Sequence, residues 1–166
     1  MPEPKPEIIR ELFPIDAPDV ILDDDLKQSL LKWEAVAHST GDVPIWSMDF
    51  ALDNSRLVSR TIMYDTSGGE TYMAIIGEEC REVIGLPKSK GFLKDLMPPA
   101  NYDDVQSRIE KCGEMRKPHY VQKTLSWNND RDFVTYEVLF LPFMTEDSDQ
   151  CTWFFVPMVF HNTSEM

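Results

Sequence analysis

The chain has 166 residues, 42% hydrophobic and 27% charged, the size and composition of one globular domain that buries roughly 70% of its extended-chain surface on folding. Sixteen basic residues against 29 acidic ones leave a net charge of −13, which argues against a nucleic-acid or anionic-membrane surface, since both need clustered Lys and Arg. No stretch approaches the ~18 apolar residues of a membrane span; the start lacks the apolar core of a secretory signal; and Cys80, Cys112 and Cys151, with no C-x-x-C pair, fit reduced cytoplasmic thiols better than a disulfide framework.

Pro2, Pro4, Pro6, Pro14 and Pro18 mark residues 1–24 as an extended arm, because proline removes backbone donors and disfavours helix in the residue before it. Leu12, Phe13 and Ile15 are apolar enough to dock. Asp23, Asp24 and Asp25 then place carboxylates at the positive end of a helix over 26–38. Leu26, Leu30, Trp33 and Ala37 form its apolar stripe, Leu31 and Val36 widen it, and Gly41 and Pro44 end it. Residues 43–50 are apolar without a period and read as a packed connection. A strand over 57–65, a turn at Thr66–Gly69 and a strand over 71–76 make a hairpin.

Short helices follow at 78–84 and 91–97, the second stopped by Pro98 and Pro99. A longer one spans 101–112, with Tyr102, Val105, Ile109 and Cys112 on one face and Gly113 placed as a left-handed cap. Residues 119–127, 132–143 and 151–161 are β-branched and aromatic runs separated by polar turns, which predicts an antiparallel meander. A domain from 25 to 161 and a tail over 162–166 complete the chain.

The last two strands are apolar on both sides. Val134, Tyr136, Val138 and Phe140 oppose Phe133, Leu139, Leu141 and Phe143, and Trp153, Phe155 and Val159 oppose Phe154, Val156, Met158 and Phe160. Large apolar surface left in water is a liability, so both faces need cover. The central helices can serve one. Helix 26–38, or the same surface of a second subunit, is the natural cover for the other, which makes Leu26, Leu30, Trp33 and Ala37 interface candidates.

Few residues suggest chemistry. His38, His119 and His161 lack the spacing of metal ligands; no nucleophile elbow or phosphate loop occurs. Glu137 stands inside an apolar strand, where a carboxylate needs a partner: Lys123, Arg131, a ligand, or open solvent at a sheet edge.

The motifs carry a resemblance. Arg81-Glu82-Val83-Ile84-Gly85, then Phe92-Leu93-Lys94-Asp95-Leu96-Met97-Pro98-Pro99, a helix ending at Gly113, and the hairpin from Trp127 to Phe143 resemble, in order and spacing, the PAS domain family. Trp33, the segment Pro44-Ile45-Trp46-Ser47-Met48-Asp49-Phe50 and Tyr136-Glu137-Val138-Leu139-Phe140-Leu141-Pro142 are similar to features of a stand-alone PAS subfamily found mainly in alphaproteobacteria. The resemblance covers about residues 26–161. It implies an α+β fold with a five-stranded antiparallel sheet in the order 2-1-5-4-3, short helices on one face and an N-terminal helix over the other. It further implies a cavity between sheet and helices, for which Tyr72, Tyr102, Ile109, Trp127, Glu137, Phe140 and Trp153 are the ligand-binding candidates.

By the same resemblance the chain is a non-catalytic sensory or interaction module, signalling through a homodimer or a partner protein and holding a small organic ligand or none. Cys80 lacks the sequence context of flavin-linking cysteines in that family, and the 101–112 helix offers no histidine for haem. A competing expectation is a small cone-shaped α+β enzyme or carrier similar to nuclear-transport-factor-like folds, with Glu137 and His119 or His161 as an acid–histidine pair. A third is an adaptor with a constitutive dimer face. In the PAS arrangement the first strand of the sheet lies beside the last; in the cone the early hairpin sits at one edge.

Overall fold

The five prolines of the arm leave Ile8–Leu12 free of them, so its N–H groups are available for pairing. In the computed structural model, which describes residues 8–15, 17–124 and 134–162, this segment is strand β1 (Ile8–Leu12). It is followed by α1 (Asp24–Thr40), α2 (Met48–Asp53), β2 (Thr61–Asp65), β3 (Tyr72–Ile76), α3 (Glu78–Ile84), β4 (Gly91–Phe92), α4 (Leu93–Leu96) and α5 (Pro99–Met115). The closing strands are β5 (His119–Thr124), β6 (Val134–Thr145) and β7 (Ser148–Asn162).

The fold is α+β, with one antiparallel sheet in the order β1-β5-β6-β7-β2-β3-β4. It has seven strands where five were expected. The additions lie at the two edges: the arm pairs with β5, and the two-residue β4 pairs with β3. Gly91, with φ at 152°, breaks the helix expected over 91–97, so only Leu93–Leu96 is helical. The strand expected from 57 begins at Thr61, after a 3-10 segment at Ser55–Arg60.

The supposed cap at Gly113 is instead part of α5, which continues to Met115 and ends on Arg116 at φ 57°. Glycine is needed there for closeness: a Cβ at 113 would lie 3.2 Å from the Phe154 ring. Part of the connection at 43–50 is also helical, as α2, begun by the Ser47 hydroxyl accepting from the Asp49 N–H at 3.2 Å.

Asp23 caps α1 by accepting from the Leu26 N–H at 3.0 Å, and Gly41 closes the helix at φ 77°. Leu26, Leu30 and Trp33 are buried against the chain's own sheet, Ala37 is half-buried, and Leu31 and Val36 are exposed rather than part of the stripe. The Trp33 indole N–H donates to the Pro142 carbonyl at 2.8 Å. Trp33→Phe keeps an aromatic ring but removes the N–H donor to the Pro142 carbonyl, so urea unfolding should register a loss of about 1–2 kcal/mol.

Every residue of β6 from Thr135 to Phe143 is buried. Strand alternation sends Tyr136, Val138 and Phe140 towards α3 and α5. Glu137, Leu139, Leu141 and Phe143 point the other way, where Phe143 meets Trp46 and Phe50 edge-on at ring separations of 5.2 and 5.0 Å. No helix among the described residues is long and apolar enough to cross a membrane.

Candidate functional site

The space between the sheet and α3–α5 narrows to a cavity of about 20 Å³, lined by Ile62, Tyr64, Ile84, Lys123, Tyr136 and Phe140 among others. That is room for about one water molecule. Among the described residues, the one charged side chain in this lining is Lys123, whose residue is 1% exposed. Its Nζ donates to the Asp104 carboxylate, one turn before Arg108 on α5, and lies 5.5 Å from the Tyr136 ring centre.

Arg108 extends this cluster. Its Nε donates to Asp104 at 3.3 Å, and its Nη1 lies 3.0 Å from a Glu11 carboxylate oxygen and 3.1 Å from His119 Nε2. Burial, then the Arg108 guanidinium, pulls His119 down to about 4 against the opposing pull of Glu11. Burial alone would raise the Asp104 carboxyl, but the Lys123 ammonium and Arg108 override it and hold it below the usual range. Lys123 is also lowered despite its carboxylate partner, because its burial is nearly complete and outweighs Asp104.

These shifts set an acid limb. Between pH 6.5 and about 4 the unfolded chain protonates His119 while the native chain does not; stability therefore falls as pH drops through that window. Asp104 adds a further loss at lower pH, once the unfolded carboxylate takes up a proton the native one refuses. Urea midpoints measured from pH 7 to 4.5 should decline, and His119→Gln should flatten the slope.

Glu137 occupies the opposite face. Its Oε1 accepts from the Leu22 N–H at 3.1 Å, the Asp23 N–H at 3.3 Å and the Tyr120 hydroxyl at 2.6 Å, while Oε2 lies 2.7 Å from His161 Nε2. The carboxylate is fully buried and His161 is partly exposed. It thus holds the two N–H groups that lead into α1.

The expected ligand residues do not converge. Phe140 lines the small cavity. Ile109 lines an open groove of about 490 Å³ between α5 and the β2–β3 turn. Tyr72 lies edge-on to Phe92 at 5.1 Å, and Tyr102 is half-buried on α5. Trp153 stacks on Trp46 at 5.3 Å, on the face away from α5. Trp127 and Arg131 lie outside the described residues.

Lys123 does not pair with Glu137. It faces Tyr136 across the ladder, while Gln122 faces Glu137, so the two charges are on opposite sides of the sheet. His119 shares the Lys123 face; His161 shares that of Glu137.

Asp104, Arg108, Tyr120 and Glu11 escaped the sequence reading, and Lys123 entered it only as a possible partner of Glu137. Lys123 did carry a signal, since it shares parity with Val121 on the apolar side of its strand. Asp104 and Arg108, four residues apart on α5, carried a weaker one. No family model matches the chain, and no curated protein or solved structure matches it.

Proposed function

We propose that the chain is a cytoplasmic, non-catalytic sensory and interaction module of the PAS type. In this reading it detects a small organic ligand or a partner on the α5 side of the sheet and passes the response to α1. The observation that carries the reading is Glu137. It stands in β6 between Tyr136 and Val138, which line the inner cavity, and its own carboxylate holds the Leu22 and Asp23 N–H groups ahead of α1.

A strand is a stiff element with two faces, so displacement of Tyr136 or Val138 moves Glu137 with it. A ligand acts by binding one arrangement of that strand better than another. At about 20 Å³ the cavity admits an organic ligand only as Met97, Met158 or Phe140 changes rotamer.

Strand order adds support. Without the two edge additions, the five remaining strands run β3-β2-β7-β6-β5, with the first beside the last in mid-sheet, an order that supports the 2-1-5-4-3 reading. The packing of α1 by Trp33 onto the β6 carbonyl at Pro142 fits a helix over the second face. The enzyme reading finds an acid–histidine pair in Glu137 and His161, but three donors already occupy Oε1 and the carboxylate has no solvent exposure, which weighs against a role as base.

Thermal-shift screening with native mass spectrometry tests the proposal, followed by hydrogen exchange on any hit. The expected result is a stabilising metabolite that alters exchange at Leu22–Leu26. A ligand that leaves those amides unchanged would overturn the transmission from β6 to α1. Absence of any ligand would remove sensing and leave interaction alone.

A further inference from the structure

We propose that the outer edge of β5, with Arg108 and His119 beneath it, is a docking site for an extended acidic segment of a partner protein, occupied in cis by β1. This inference stands on the arm and is independent of the sensing proposal above.

The arm binds as a peptide ligand binds a sheet edge. Leu12, Glu11 and Arg10 register against Tyr120, Val121 and Gln122 of β5. Ile8 and Ile9, 48% and 51% exposed, contribute little burial at the outer end. The hold comes from main-chain pairing, from Phe13 packed on the His119 ring at 4.0 Å, from Leu12 and the buried Ile15 against the core, from the Arg10 guanidinium donating to the Val20 carbonyl, and from Glu11. The Glu11 carboxylate reaches Arg108 Nη1 at 3.0 Å and His119 Nε2 at 3.2 Å.

Beneath the edge the site is built of buried groups: the Arg108 and His119 side chains are 6% and 1% exposed, whereas that of Glu11 is 38% exposed. Asp104 engages Arg108 through Nε, and the carboxylate offered to its Nη1 is the one the arm brings. A buried guanidinium without that partner is costly, so the position selects for an acid, while the strand edge accepts any extended backbone.

The arm is also an imperfect occupant. Its ladder with β5 slips between Ile8 and Arg10, so that Ile8 rather than Ile9 stands opposite Lys123; a regular strand would pair without that break. This irregularity, together with the exposed outer end, makes the arm displaceable by a segment of better register. The occupant is therefore a foreign strand carrying Glu or Asp at the position opposite Val121.

The test uses the full chain and a fluorescein-labelled peptide of the arm sequence from Ile8 to Ile15, read by fluorescence anisotropy. In the wild type the tethered arm competes at high effective concentration and suppresses binding. Glu11→Lys sets a cation against Arg108 and frees the edge, so its affinity for the peptide should rise by about tenfold or more. A peptide with Gln at the acidic position should bind that variant about tenfold more weakly, the loss expected for one charge-assisted bond.

Equal binding of the two peptides, or no gain in Glu11→Lys, would overturn the proposal. So would dimerisation of the variant by arm exchange, seen by light scattering. Should Glu11→Lys fail to fold by circular dichroism, Glu11→Gln serves the same comparison with a gain of about threefold, and unchanged peptide affinity in that variant overturns the proposal equally.

Discussion

Replacing Glu137 with alanine is expected to destabilise the protein by about 4 kcal/mol. The change removes an acceptor shared by the Leu22 and Asp23 N–H groups, the Tyr120 hydroxyl and His161. The buried Tyr120 hydroxyl is left without its acceptor, and the part-buried Leu22 and Asp23 N–H groups lose the carboxylate that fixes them. Glu137→Gln retains one oxygen but turns an amide N–H₂ towards other donors, so about half the loss should remain. Equilibrium urea unfolding gives the magnitude. Hydrogen exchange gives the location, with protection falling first at Leu22, Asp23 and Leu26. An alanine variant with wild-type stability and an unchanged α1 would show that the carboxylate does not clasp the helix.

The second large effect is asymmetric. Asp104→Ala should cost about 3 kcal/mol, because it leaves the Lys123 ammonium buried without its carboxylate. Lys123→Met should change stability by less than about 1.5 kcal/mol: the straight apolar chain follows the lysine stem, and Asp104 keeps Arg108 at 3.3 Å. The pH dependence separates this cause from simple loss of packing. In Asp104→Ala the native chain favours neutral Lys123 while the unfolded chain keeps it charged, so the unfolded state binds more protons. The deficit therefore shrinks as pH rises towards about 10. A deficit independent of pH, or equal losses in the two variants, would refute the account.

Periodicity and stop residues were enough for α1, α3, the early hairpin and the meander. Asp23, Gly41, Gly77 and Gly85 bound their elements for local reasons that sequence displays. The two-sided apolar pattern of β6 and β7 also announced a sheet buried on both faces. The edge strands were less legible. Pairing of Ile8–Leu12 depends on an open edge more than a hundred residues away, and nothing in the arm itself names β5.

The candidate site was harder still, because the aromatic residues suggested as a pocket are divided by strand parity. Phe140 and Glu137 are three apart in one strand and so face opposite ways. Trp153, which registers against Phe143, likewise faces away from Phe140. The charged cluster around Lys123 was half visible as a misplaced polar residue, but its partners lie on a different element. Of the partners open to Glu137, Lys123 is excluded because ladder register, rather than charge, decides which side chains meet.

The long-range bonds to α1 also set an order of events during synthesis. Leu22 is anchored by a residue 115 positions later, and Trp33 by one 109 positions later. Until β6 has left the ribosome, the Leu26–Leu30–Trp33 stripe has no surface to settle on and is open to chaperones. Such late, distant closure slows folding relative to a helical bundle of the same size. It also places the aggregation hazard of this chain in its nascent first quarter.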